Sequence, residues 1–200
     1  MSNNKKFKLT QYTKSGGWGS KFSLEDLGQI LSLFNLENKN PNILVDASTR
    51  DDAAIYKINN DTCIALTVDF FPPNVDDPYT YGQISAANSM SDIYAMGGDP
   101  IIGLNIAAFP KKFPIEIINN ILLGAKEKCD EAGLSILGGH TIYDDEPKYG
   151  LVVIGKINCN EIKKNNTAKS GDLLILTKAL GTGIITQLIK KDSSNIDSIL

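Results

Sequence analysis

Apolar positions along this chain follow two rhythms. Between residues 43 and 71, three short apolar runs, Ile43–Val45, Ala53–Ile58 and Cys63–Phe71, are separated by polar turns, which predicts strands. Residues 79 to 96 instead carry Ile84, Ala87, Asn88, Ser91 and Met96 at helical spacing, and Gly97-Gly98 ends the pattern. Ile101–Phe109 reads as a buried strand. Pro114 opens an amphipathic helix through Ala132, with Ile118, Leu122, Ala125 and Cys129 on its inner face and Gly133 as its stop. Leu134–Leu137 and Leu151–Ile157 read as further strands. Upstream, Ser23-Leu24-Glu25-Asp26 predicts a capping box for a helix reaching Leu36, with Leu24, Leu27, Ile30, Leu31 and Phe34 on one face. Strands mixed with helices predict an α/β (α+β) class.

Near residue 160 the texture changes. Residues 160 to 170 are polar and read as a linker, Gly171–Lys178 as a new strand, and Gly181-Thr182-Gly183 as the opening of a new helix. The expected division is therefore a first domain over residues 1–160, then a linker and the start of an incomplete second α/β domain over 161–200. Roughly 30 residues of that second domain are too few to bury a core alone.

Composition narrows the class. The 200 residues are 42% hydrophobic and 22% charged, as in a soluble globular protein. No apolar run is long enough to span a bilayer, and the opening MSNNKKFKLTQY lacks the apolar core of a secretory signal. A net charge of −3 argues against a general nucleic-acid binder, so Lys5, Lys6, Lys8 and Lys14 read as a solvated arm. Cys63, Cys129 and Cys159 are odd in number and far apart. They read as free thiols filling the core in a reducing compartment, which points to the cytoplasm, not to a disulfide frame or a zinc site.

The placement of acids carries the chemistry. Asp51 and Asp52 follow Arg50 just before a strand, Asp69 falls near the end of the run IALTVDFF, and Asp92 lies in the small-residue helix SAANSMSDIYAMGG. Buried carboxylates are costly unless a cation or hydrogen bonds compensate them. Oxygen ligands from separate loops suit Mg²⁺, which binds a few carboxylates together with substrate phosphates. Ordinary caps and turns are the competing explanation for each acid taken singly. Asp76 and Asp77 in VDDPY read as a turn. Gly138-Gly139-His140-Thr141 follows a strand and offers N–H groups, a hydroxyl and an imidazole suited to phosphate or ribose. His140 is the sole histidine, which disfavours a zinc site or a His-based triad. In SGGWGSK, Gly16, Gly17 and Gly19 make a permissive loop and Lys21 a charge suited to phosphate, but the Walker A spacing fails. Trp18 suits neither purpose.

Taken together, LTQYTKSGGWGSK, STRDDAAIY, TVDFFPPNVDDPYTYGQISAANSMSDIYAMGGDP, LGGHTI and KKNNTAKSGDLLILTKALGTG closely resemble the selenophosphate synthetase family, of the aminoimidazole ribonucleotide synthetase-like superfamily. The resemblance implies a mixed sheet with flanking helices, a homodimer through the N-terminal domain, and a Mg²⁺-dependent reaction. In that reaction ATP, selenide and water give selenophosphate, orthophosphate and AMP. It implies Asp52 and Asp92 as metal ligands and Lys21 as a catalytic phosphate contact. It further implies ATP contacts from Thr49, Arg50, Asp51, Asp69, Asp92, Gly139, His140 and Thr141. Two departures stand out. A further metal-binding Asp of the family's second domain is not reached by these residues. Trp18 also occupies the place of the family's catalytic cysteine or selenocysteine. Three explanations remain open for Trp18: a UGA codon meant as selenocysteine, a deliberate replacement, or a genuine tryptophan in a non-catalytic ATP-binding paralogue or regulatory subunit.

Overall fold

The computed structural model describes residues 7–14, 21–31 and 39–185. Six strands form one sheet: β1 (Ile43–Val45), β2 (Ala54–Lys57), β3 (Thr62–Phe71), β4 (Asp99–Phe109), β5 (Ser135–Tyr143) and β6 (Lys148–Asn158). Their order is β1-β2-β3-β6-β4-β5, antiparallel throughout except for the parallel β4–β5 pair. The sheet is mixed, as expected.

Helices α2 (Pro78–Ala95) and α3 (Ile115–Glu131) cover one face. Asp77, expected in a turn, caps α2 by accepting the Thr80 N–H at 2.8 Å, and Asp76 accepts both the N–H and the hydroxyl of Thr10. The inner stripe of α2 differs from the expected one: Tyr81, Gly82, Ser85, Ala86, Ser89, Met90 and Ile93 are buried. Ser85 and Ser89 are hidden from a hydrophobic reading because their hydroxyls are satisfied internally, on Tyr81 O and on Asp69 O and Ser85 O. The two helices approach to backbone contact. A Cβ at Gly82 would stand 1.9 Å from the Ile121 oxygen, and one at Gly124 would stand 2.0 Å from the Tyr79 oxygen. The inner face of α3 is Ile121, Gly124, Ala125 and Cys129, with Ile118 and Leu122 partly buried.

Among the described residues, nothing covers the central part of the other face of the sheet. Along β3, Cys63, Ala65, Asp69 and Phe71 are buried beneath the helices, whereas the alternating Leu66, Val68 and Phe70 are 39%, 56% and 46% exposed. Their cross-strand neighbours Val152 and Ile154 on β6, and Leu104 beyond them on β4, continue this apolar surface.

Helix α1 (Leu24–Leu31) begins at the expected cap. The Asp26 N–H bonds Ser23 Oγ at 3.1 Å, while the serine hydroxyl donates to the Asp26 carboxylate. Leu27 and Ile30 are exposed, and the expected continuation to Leu36 lies outside the described residues. Lys5 and Lys6 of the expected solvated arm lie outside the described residues; over residues 7–14 the segment is docked, not a solvated arm. Leu9 is buried, and Phe7 and Tyr12 pack with Phe113.

Two expectations fail. Cys63 and Cys159 form a disulfide, 96 residues apart in sequence with their Cα atoms 5.3 Å apart. The β3–β6 register sets Cys63 opposite Ile157, two residues from Cys159, so pairing of distant strands creates a proximity that sequence spacing hides. Those two cysteines therefore lend no support to a reducing compartment; among the described residues Cys129 is a buried free thiol. The strand expected over Gly171–Lys178 is not formed. Leu173, Leu174, Ile175 and Leu176 are 69–96% exposed and pair with none of the six strands, and a strand needs a ladder partner. One helical turn follows over 182–185. No helix among the described residues is long and apolar enough to cross a membrane.

Candidate functional site

The candidate site grows from the seam between β3 and α2. Residues 67, 69 and 71 point toward the helices because side chains alternate along a strand, and each is tied to α2. The Tyr81 hydroxyl donates to the Phe71 oxygen. Ser89 Oγ donates to the Asp69 oxygen at 3.0 Å and accepts the Leu151 N–H at 3.1 Å. Thr67 Oγ1 donates to Asp92 Oδ2 at 2.6 Å.

Asp69 is 5% exposed, and one of its carboxylate oxygens is compensated twice. Asn88 Nδ2 donates to Oδ2 at 2.5 Å and Lys21 Nζ lies 3.3 Å from the same atom. The lysine remains half exposed, able to turn toward an anion. Asp92 is half-buried. Burial pushes its carboxyl above the ordinary carboxylate range; the Thr67 hydrogen bond opposes this, repulsion from Asp69 and Asp52 adds to it, and Lys21 opposes it. Lys21, Asp52, Asp69 and Asp92 thus share one electrostatic neighbourhood, although Asp52 is exposed and comes from the turn before β2.

That turn is unusual. Arg50 adopts φ +55°, a left-handed conformation rare for a side-chain-bearing residue. Thr49 Oγ1 donates to the Asp46 oxygen at 3.1 Å. Asp51 Oδ1 accepts the Asn165 N–H at 2.6 Å, and the Arg50 oxygen accepts Asn165 Nδ2 at 2.8 Å.

Gly139, His140 and Thr141 are not with this group. They lie inside β5, not in a turn after a strand, and β5 is three places along the sheet from β3, roughly 14 Å at ~4.8 Å per strand. The glycine pair has a structural explanation. The β4–β5 register slips between Gly103/Ile136 and Asn105/Gly139, a bulge with φ 152° at Gly138 and 151° at Gly139, and a Cβ at Gly139 would stand 2.3 Å from the Asn105 oxygen. Trp18 and its glycine neighbours lie outside the described residues, though both approaches are tied: Lys14 N–H donates to Glu146 and Lys21 reaches Asp69.

Among the described residues no three His, Cys, Asp or Glu side chains form a metal-holding group. Asp52 and Asp92 could supply one or two carboxylates to a hard cation that keeps its waters and binds phosphate, which is the habit of Mg²⁺. The raised Asp92 carboxyl, crowded by two further acids, is the environment such a cation would relieve. A cavity of ≈ 420 Å³ lies elsewhere, lined by Asn105, Leu122, Lys126, Asp130, Ser135 and Ile136, and includes none of these acids. Sequence reasoning missed Thr67, Asn88, Ser89 and Asn165. The first could have been found from its two-residue spacing to Asp69, and Asn88 from its four-residue spacing to Asp92. Nothing local marks Asn165.

Comparison with known proteins places the chain. The family model for the AIR synthase related protein, N-terminal domain, matches residues 50–157, more than half of the sequence. The chain belongs to this family. The match takes in Arg50, Asp51, Asp52, Asp69, Asp92 and the Gly139–Thr141 segment, but not Lys21 or Thr49. "Selenide, water dikinase" of Caldanaerobacter subterraneus subsp. tengcongensis is 51% identical over 185 residues, covering 92% of this chain and 53% of that protein. The protein of the same name from Treponema denticola is 50% identical over 191 residues, 96% of this chain and 54% of its own length. The chain thus spans about half the length of the curated relatives it matches. Among solved structures, "AaThiL complexed with AMPPCP and TMP" aligns with a TM-score of 0.59 at 17% identity, over 75% of this chain and 48% of that one. That likeness shows the fold alone.

Proposed function

We propose that this chain is the nucleotide-binding part of a selenide, water dikinase, which makes selenophosphate, orthophosphate and AMP from ATP, selenide and water. Identity of about half over nearly the whole chain with proteins of that name is the observation that carries the reading. Three features of the β3–α2 seam support it. Lys21 is half exposed beside a buried carboxylate, so it can contact phosphate while remaining oriented by Asp69. Asp52 and Asp92 would hold Mg²⁺, which when bound shields phosphate charge during phosphoryl transfer. Asp69, held by Asn88 and Ser89, keeps the lysine and the nucleotide side of the site in register.

Two further parts belong to the proposal. The uncovered apolar face of Leu66, Val68, Phe70 and Leu104 supports a homodimer through this domain. Gly139, His140 and Thr141, remote from the acids of their own chain, would then meet nucleotide bound in the partner's site. The exposed run Leu173–Leu176 supports assigning residues 161–200 to a linker and the first elements of a second domain.

The test is titration of the chain with a non-hydrolysable ATP analogue, with and without Mg²⁺. Asp52→Ala and Asp92→Ala are each expected to lower the magnesium-dependent affinity by about tenfold or more, the loss of a charged ligand. Unchanged affinity in both would remove them as metal ligands. In the full-length protein, AMP formation must depend on selenide; nucleotide binding without turnover would make it a non-catalytic relative. The mass of peptide Ser15–Lys21 from native protein distinguishes selenocysteine from tryptophan at position 18.

A further inference from the structure

The segment after β6 reads as a linker in sequence, yet it stays on the sheet. Cys159 is bonded to Cys63, the Lys163 N–H donates to the Met96 oxygen at 2.9 Å, and Lys164 Nζ donates to the Leu44 oxygen at 3.3 Å. These anchors deliver Asn165 to the turn that precedes β2. There it grips both sides of the Arg50–Asp51 peptide, through Nδ2 to the Arg50 oxygen and through its N–H to the Asp51 carboxylate. Arg50 is the residue with φ +55°, a conformation that side chains resist. Its position fixes the direction in which the chain leaves toward Asp52, the residue that follows Asp51.

We infer that Asn165 is a positioning residue: it clasps the Arg50–Asp51 turn in its left-handed form and so aims Asp52 at the metal–nucleotide site. The inference rests on the proposed function for the identity of what binds there. One oxygen of the Asp51 carboxylate is engaged in the clasp, which makes that acid a part of the turn's support. The two Asn165 bonds bridge 114 and 115 positions in sequence and join the segment after β6 to the acidic turn.

The experiment uses Mn²⁺ as a spectroscopic stand-in for Mg²⁺, with a non-hydrolysable ATP analogue, on the 200-residue chain. Asn165→Ala is expected to weaken Mn²⁺-dependent nucleotide binding by about fivefold to tenfold, the worth of one neutral hydrogen bond, with metal-free nucleotide affinity unchanged. Asn165→Asp, which keeps the shape and removes the side-chain donor, should behave alike. In an Arg50→Gly background the alanine substitution should cost less than about twofold, because glycine adopts positive φ without support. Equal loss with and without metal, accompanied by a lowered Tm, would reduce Asn165 to a general structural role and overturn the inference. So would a full loss that persists in the Arg50→Gly background. The amide resonances of Asp51 and Asp52 provide a reading independent of nucleotide: they must shift in Asn165→Ala, and unmoved resonances overturn the clasp. A wild-type chain that binds no metal–nucleotide, with those resonances still displaced by the substitution, would sink the proposed function and leave the clasp supported.

Discussion

The two faces of β3 are built from adjacent residues and have opposite characters. Beneath the helices, Ala65, Thr67, Asp69 and Phe71 lie in a seam where hydroxyls, carbonyls and carboxylates find partners on α2. On the other side, Leu66, Val68 and Phe70 are apolar and exposed among the described residues. The enclosed face therefore holds a buried carboxylate among core hydrocarbon, while the exposed face holds hydrocarbon alone. A buried carboxylate is tolerated only where its bonds are specified residue by residue, so the seam has little freedom to vary. The uncovered face requires only apolar bulk, which is what a second surface of the same kind can bury.

That contrast can be tested by introducing one charge on each side. Ala65→Lys places an unpaired ammonium in the covered layer and should cost about 3–5 kcal/mol, read by denaturant unfolding; a cost under about 1 kcal/mol would mean the seam is far looser than its bonds suggest. Next in size is the clamp at the end of the same strand. Reducing the Cys63–Cys159 disulfide, or replacing both residues with serine, should lower stability by about 3 kcal/mol, since the bond closes a long loop. Thiol-independent unfolding midpoints would show that this bond does not form in solution. The smallest effect on the isolated fold belongs to Leu66→Lys, one residue from Ala65. It should change monomer stability by only about 0.5 kcal/mol while abolishing the proposed self-association through this face in sedimentation experiments. An unaltered dimer would move the subunit interface elsewhere.

The legibility of the chain followed the range of the interactions involved. The strands of the sheet and the two covering helices were readable because short apolar runs and helical spacing are local patterns, and Gly133 marks the end of α3; the Asp77 cap of α2 was read instead as a turn. The inner stripe of α2 was misread because Ser85 and Ser89 look polar until Asp69, Tyr81 and Leu151 are known to satisfy them. The acids stood out in sequence by their placement; of them Asp52 and Asp69, with Lys21, act electrostatically on Asp92, while the Asp51 carboxylate accepts from Asn165. The disulfide and the Asn165 clasp were not. Each joins residues about a hundred positions apart, and neither leaves a trace in composition or period.

One earlier feature sets the reach of position 18. Lys14 is fastened to Glu146 and Lys21 to Asp69, so position 18 lies in sequence between two anchored residues. A fully extended chain covers at most ~3.6 Å per residue, which confines the Cα of residue 18 to about 11 Å from that of Lys21 in any conformation. Confinement of this kind corresponds to a local concentration of millimolar or above. Under the proposed function, a nucleophile in place of Trp18 would meet a nucleotide beside Lys21 as an intramolecular reactant, without needing a bond of its own to hold it there.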